Sequence, residues 1–140
     1  MPLVVFNTYN LSSCYNYYEK MRQFERLPLI DEENLAQNEV PHYFKTVYIP
    51  DDKFLVIGGL ERESSITSNR CFMIDEKGKL SVTNDMHVGR QYSTICTDYP
   101  MDTIYVIGGY NSEKGLLRSF ETFKIRARKW QLSSDDKDKH

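Results

Sequence analysis

Chemistry needs particular side chains at particular spacings, and this 140-residue sequence supplies few. Its two internal histidines, His42 and His87, lie far apart, and neither sits in an i, i+3 or i+4 or a Cys-linked metal motif. Such histidines are expected at the surface or at strand edges, not on a metal. Cys14, Cys71 and Cys96 are an odd number at wide spacing. That is neither a disulfide framework nor a zinc signature, and it fits a reducing compartment. Cys96 stands mid-strand among apolar neighbours with no activating base nearby, so an inert, buried thiol is expected. Asp51-Asp52 and Glu32-Glu33 are turn and loop residues before they are catalytic carboxylates. There is no G-x-S-x-G elbow, and the Gly-Gly pairs are too short and wrongly placed to cradle a phosphate. The expectation is a protein without a cofactor, holding neither metal nor nucleotide.

One basic stretch could do more. In "FKIRARKW" (123–130), Lys124, Arg126 and Arg128 alternate on one face of an expected strand beside Trp130. Such a stripe could hold an anion or stack a nucleic-acid base. It could also guard an outer edge strand against aggregation. A net charge of −2 opposes general attraction to nucleic acid or to an acidic membrane and favours the edge reading. The stretch "SSDDKDKH" (133–140) reads as a disordered charged tail. Leu3 to Phe6 is too short for a signal h-region, and no apolar run approaches a membrane span. The sequon Asn10-Leu11-Ser12 therefore stands without a secretion signal, and the expected location is cytoplasmic.

The elements that position these residues are written twice. Shifted by fifty, "PDDKFLVIGG" (50–59) lies on "PMDTIYVIGG" (100–109), matching the Pro-x-Asp turn, Val-Ile and both glycines: Gly58/Gly108 and Gly59/Gly109. A repeat at this period calls for a repeat architecture. Ten Tyr and seven Phe lean towards β structure. "HYFKTVYI" (42–49) and "YSTICTD" (92–98) read as first strands, each turning at Pro50-Asp51-Asp52 or Pro100-Met101-Asp102. The second strands, Phe54–Ile57 and Ile104–Ile107, are continuously apolar, so both sheet faces must be covered. The glycine pairs end them where φ > 0 or a close backbone approach is needed. Polar loops follow at 61–68 and 111–115, then third strands at 71–75 and 119–124. Fourth strands are expected near 79–82 and 128–132. Each repeat is then a four-stranded antiparallel meander, and stacked meanders make a β-propeller.

Met86-His87-Val88-Gly89-Arg90, a second strand ending in Gly108-Gly109, then Phe123 and Trp130 resemble the kelch repeat of kelch-type β-propellers. The match is fullest over 84–132. In the preceding repeat, Leu80 stands near the tryptophan position. The resemblance implies an all-β arc of two to three blades within residues 1–132: a degenerate blade at 1–39 and blades at 40–83 and 84–132. In the first, "PLVVFNTY" (2–9) is a second strand without its diglycine. "YNYYEKMRQFERLPL" (15–29) is then third and fourth strands, with Phe24 in the tryptophan place. A helix competes there, because Tyr17, Met21 and Phe24 fall at i, i+4 and i+7 before Pro28.

By that resemblance the expected function is a non-enzymatic interaction module holding a partner protein or peptide through loops on one face. Loops 61–68, 84–90 and 110–116 leave a blade on the same side, with Arg62, Arg70, His87, Arg90, Asn111 and Lys114 as candidate contacts. In propellers of this kind the arginine at the Arg90 place often binds ligand; the competing reading is a structural arginine bonding carbonyls between blades. Its partner by the fifty-residue shift is Val40. The alternative class is a propeller enzyme, such as a sugar epimerase or an oxidase-like protein, though an oxidase would need a His, Tyr and Cys cluster that two internal histidines scarcely allow. Three strands before residue 40 and four in each later repeat make fewer than three blades, whereas propellers close with about four to eight. Leaving 500 Å² of apolar face wet forgoes on the order of 12 kcal/mol. The chain is thus expected to belong to a larger propeller or to self-associate.

Overall fold

Phe54–Ile57 and Ile104–Ile107 each lie inside a four-stranded antiparallel sheet in the computed structural model, which describes residues 3–11, 14–18, 20–98 and 102–133. In chain order, β1 (Leu3–Val5), β2 (Tyr15–Tyr18) and β3 (Gln23–Arg26) form an N-terminal meander. A single helical turn, α1 (Leu35–Asn38), follows. The middle sheet runs in order β4 (Lys45–Ile49), β5 (Lys53–Ile57), β6 (Cys71–Ile74) and β7 (Leu80–Val82). The C-terminal sheet contains β8 (Thr94–Thr97), β9 (Thr103–Ile107), β12 (Phe120–Lys124) and β13 (Lys129–Leu132), again in meander order. Between β9 and β12, a two-stranded hairpin of β10 (Tyr110–Asn111) and β11 (Gly115–Leu116) occupies what the sequence marked only as a polar loop.

Side chains alternate across a strand, so a strand apolar at every position serves two cores. On one face of the middle sheet, Val56, Phe72, Ile74 and Leu80 pack with Leu11, Cys14, Leu35, Ala36, Val40 and Phe44 from the N-terminal segment and its linker. On the other, Leu55, Ile57, Cys71 and Met73 pack with Ile104, Val106, Phe123 and Trp130 of the C-terminal sheet. The middle sheet is therefore covered above and below. The linker adds to this cover: Ile30 forms a parallel bridge with Lys79 at the outer strand, and Asp31 accepts the Leu35 and Ala36 amides at 2.7 and 3.0 Å to start α1.

The two glycine pairs meet the same demand. Gly59 and Gly109 have φ of 108° and 98°, and a Cβ on either would lie 2.3 or 2.4 Å from the carbonyl oxygen of His42 or Gln91. The start of each first strand crosses the end of its second strand there, and no side chain fits between the two backbones.

β2 and β3 decide the N-terminal segment for strands over the competing helix: Tyr17 pairs with Phe24, and Met21 lies in the turn. Other expectations need correction. The first strands begin later than their aromatic content suggested, because Tyr43 and Tyr92 both sit at φ 56° and break the extended run. Cys96 is exposed, since alternation places it beside Tyr105 on the outer face of the C-terminal sheet. Lys124 ends β12, whereas Arg126 and Arg128 lie in the four-residue turn before β13, so the basic residues do not share a strand face. Ser133 is tied to Phe120 by two hydrogen bonds of 2.9 Å. The tail from 134, the Pro100-Met101 half of the second turn and Ser12 of the sequon lie outside the described residues.

Candidate functional site

Met86 to Arg90 is a clip. Glu121 is fully buried on β12 and accepts hydrogen bonds from the His87 amide (2.6 Å) and the Val88 amide (3.1 Å). Arg90 pairs with the same carboxylate through Nε at 3.3 Å, and neither side chain is solvent-exposed. Arg90 Nη1 donates to the carbonyls of Gly108 and Ser119, both at 3.0 Å, and Nη2 donates to Ser119 Oγ at 2.8 Å. A buried guanidinium is tolerable only when its donors are met, and this one has four acceptors. His87 Nε2 lies 3.1 Å from the Trp130 carbonyl, which can only accept, so that nitrogen carries the proton. Trp130 Nε1 in turn donates to the Asn84 carbonyl at 2.9 Å.

The clip also reaches the middle sheet, through backbone. Arg90 N donates to Ser68 O, its carbonyl accepts the Gly59 amide, and Met86 N donates to Asn69 O. Gly89 permits this contact, because a Cβ there would meet Thr67 O at 2.4 Å. The Arg90 guanidinium thus bonds carbonyls of its own sheet, and its backbone joins the neighbour. Pairing also moves its counterpart: His42 bridges Leu60 as Gln91 bridges Tyr110, so Pro41, not Val40, occupies the Arg90 place in the middle repeat.

The three loops meet. Thr67 N donates to Ser112 Oγ (3.0 Å), Ser112 N donates to Thr67 Oγ1 (2.9 Å), and Gln91 Nε2 donates to that hydroxyl at 2.8 Å. Asn111 is buried; its Nδ2 donates to Gly89 O and its Oδ1 accepts the Glu113 and Lys114 amides. Arg62 reaches the carbonyls of Val40 and Ala36 at 2.9 and 2.7 Å and closes the end of α1. Arg70 pairs with Glu39 and lies over the Phe72 ring. Of the six candidate contacts, Arg90 and Asn111 are withdrawn into loop architecture, and Arg62 and Arg70 are half-buried brackets. His87 is exposed but tied to Trp130, and Lys114 projects into solvent. Beside Arg62, a cleft of about 340 Å³ is lined by Gln37, Asn38, Glu61, Glu63 and Ser64.

What the loop surface offers instead is aromatic. Tyr43 and Tyr92 occupy equivalent places one residue beyond the His42 and Gln91 bridges, Tyr43 where the chain crosses Gly59 and Tyr92 where it crosses Gly109. They are 49% and 74% exposed, each with the left-handed backbone that L-residues avoid. Tyr9 packs against His42 and Tyr43 with ring centroids 4.2 and 5.8 Å away; Tyr110, which bridges Gln91, is exposed, as are its hairpin partner Leu116 and Ile66 in the 61–68 loop. Desolvation, helped by the Arg62 charge, holds the His42 imidazole below its usual pKa and keeps it neutral against Tyr9. The sequence carried a signal for the pair, an exposed-type aromatic at "PHYF" and "RQYS", hidden because the two lie forty-nine residues apart while the glycines lie fifty apart.

Burial raises the Cys14 thiol to about 11 and pushes the Cys71 thiol up as well, which makes both poor nucleophiles. Among the described residues, no group of three or more His, Cys, Asp or Glu side chains is placed to hold a metal ion, and no helix is long and apolar enough to cross a membrane. No protein-family model matches the chain, and no curated protein matches it significantly.

Proposed function

We propose that the chain is part of a kelch-type β-propeller that binds a partner protein or peptide through its loop face. Two four-stranded antiparallel meanders stacked face to face, with a repeated diglycine at each first-strand crossing and a third meander before them, support the blade reading. The observation that carries the binding reading is the repeated Tyr43 and Tyr92 pair. A left-handed backbone costs a non-glycine residue about 1–2 kcal/mol, and an exposed tyrosine recovers little of that in the free protein. Strained, exposed residues at equivalent sites are a mark of function rather than of folding. Tyrosine gives a large amphipathic contact at low entropy cost, which suits it to a protein-binding surface. The buried Arg90–Glu121 pair and the Thr67–Ser112 lacing hold the loops in place before a partner arrives, which lowers the ordering cost of binding.

Tyr43→Gly with Tyr92→Gly separates the two roles, because glycine suits the backbone. Peptides selected from a random library on the wild-type protein should bind the double variant at least tenfold more weakly, while its melting temperature holds or rises. Equal binding to both proteins, or failure to select any peptide, would overturn the reading.

A further inference from the structure

The middle sheet shows what the ends of the molecule lack. Register aligns Leu55, Ile57, Met73 and Cys71 of the middle sheet with Tyr105, Ile107, Thr122 and Phe120 of the C-terminal sheet. The first four are buried beneath Ile104, Val106, Phe123 and Trp130. The second four form an outer face on which Ile107 is 42% exposed, Phe120 is exposed, and Tyr105 and Thr122 are half-buried. At the other end, the row Ile104, Phe123, Trp130, which covers the middle sheet, aligns with the row Leu3, Tyr17, Phe24 of the N-terminal sheet. There the Tyr17 and Phe24 rings lie 4.8 Å apart, as Phe123 and Trp130 lie 4.9 Å apart, yet Phe24 is 62% exposed and Tyr15 is exposed beside it. Each end of the molecule carries one half of the same repeated interface.

We infer that a second copy of this chain docks head to tail, laying its Tyr15, Tyr17 and Phe24 face on the Tyr105, Ile107, Phe120 and Thr122 face of the first. The occupant is argued from the chain itself. The covered junction between the middle and C-terminal sheets places an aromatic row over four such positions, and the N-terminal sheet bears the matching aromatics, half-buried Tyr17 and exposed Phe24. The interface pairs unlike surfaces, so copies added in this way either close a ring or extend a filament. This holds independently of which partner the loop face takes.

The test uses light scattering on the full chain with Ile107→Asp and Phe24→Asp, each of which disables one face only. The wild type is expected at multiples of the 16.5 kDa chain mass, and each variant at one chain mass. An equimolar mixture of the two variants should form a species of two chains, because one intact face of each kind remains. Phe120→Lys and Tyr15→Lys, on the same faces, replace either variant if its circular dichroism shows it unfolded. A wild type that stays at one chain mass would overturn the inference and leave these faces to a sheet from another protein. A mixture that stays monomeric, or variants that still associate, would overturn it too, since a like-with-like interface cannot be rescued by mixing.

Discussion

Phe72 and Glu121 occupy the same place in two successive sheets, opposite Val56 and Val106, and both are fully buried. The middle sheet fills that place with an aromatic ring, with Pro41 where the next repeat has Arg90. The C-terminal sheet fills it with a carboxylate that takes the Arg90 guanidinium and two loop amides. In the middle sheet that face packs on the N-terminal segment and is apolar throughout. In the C-terminal sheet it packs on the middle sheet, and there the buried charge pair also fixes the entry loop. One backbone plan therefore supports two ways of filling the same covered position.

Breaking the polar hub should give the largest effect. Glu121→Ala leaves Arg90 buried and unpaired, and urea unfolding should show a loss of about 3–5 kcal/mol. Making the C-terminal sheet resemble the middle one, with Arg90→Met and Glu121→Leu together, removes the stranded charge. It should still fall short of wild type, since the His87 and Val88 amides lose their acceptor at about 1–3 kcal/mol each. Full recovery in that double variant would mean the amides find water and that the hub contributes little.

The glycine pairs test the feature the two sheets share. Gly59→Ala and Gly109→Ala each force a Cβ against a carbonyl at positive φ, and about 2–4 kcal/mol should be lost in either sheet. Gly115→Ala, at φ 78° with open space around it, should cost only about 1–2 kcal/mol. Similar losses at all three sites would show that φ alone matters and that the strand crossing imposes no further limit.

Smaller still is the effect of pH on His42. Its pKa is lowered on folding, so the unfolded chain binds the proton more readily. Stability should be complete above the ordinary histidine value and decline as pH falls through it, and His42→Gln should flatten that slope. A histidine titration by NMR placing His42 above the ordinary value would contradict the sign.

Much of this plan was legible in the residues, and the misses have physical causes. Continuous apolar runs ending in Gly-Gly announced buried second strands, because few other folds need both features together. Tyr17, Met21 and Phe24 suit a helix face as well as a hairpin, and only pairing with Leu3–Val5 decides between them. At Arg90 a contact and a structural role stay open in the residues alone, because its acceptors lie 18 to 31 residues away along the chain, out of reach of local pattern. Tyr43 and Tyr92 carry no local signal because their meaning lies in a backbone angle that the residue type argues against. Arg126 and Arg128 read as strand residues because their turn contains no Gly, Pro or Asn.

Ile57 and Ile107 are the same residue at the same register position, 2% and 42% exposed, and they carry the central claim that the sheets stack as repeats with one face left bare. Urea unfolding of Ile57→Ala and Ile107→Ala, at concentrations low enough to keep the chain monomeric, measures it directly. The account predicts a loss of about 2–5 kcal/mol for Ile57→Ala and a change within about 0.5 kcal/mol for Ile107→Ala. Equal losses at the two positions would contradict it.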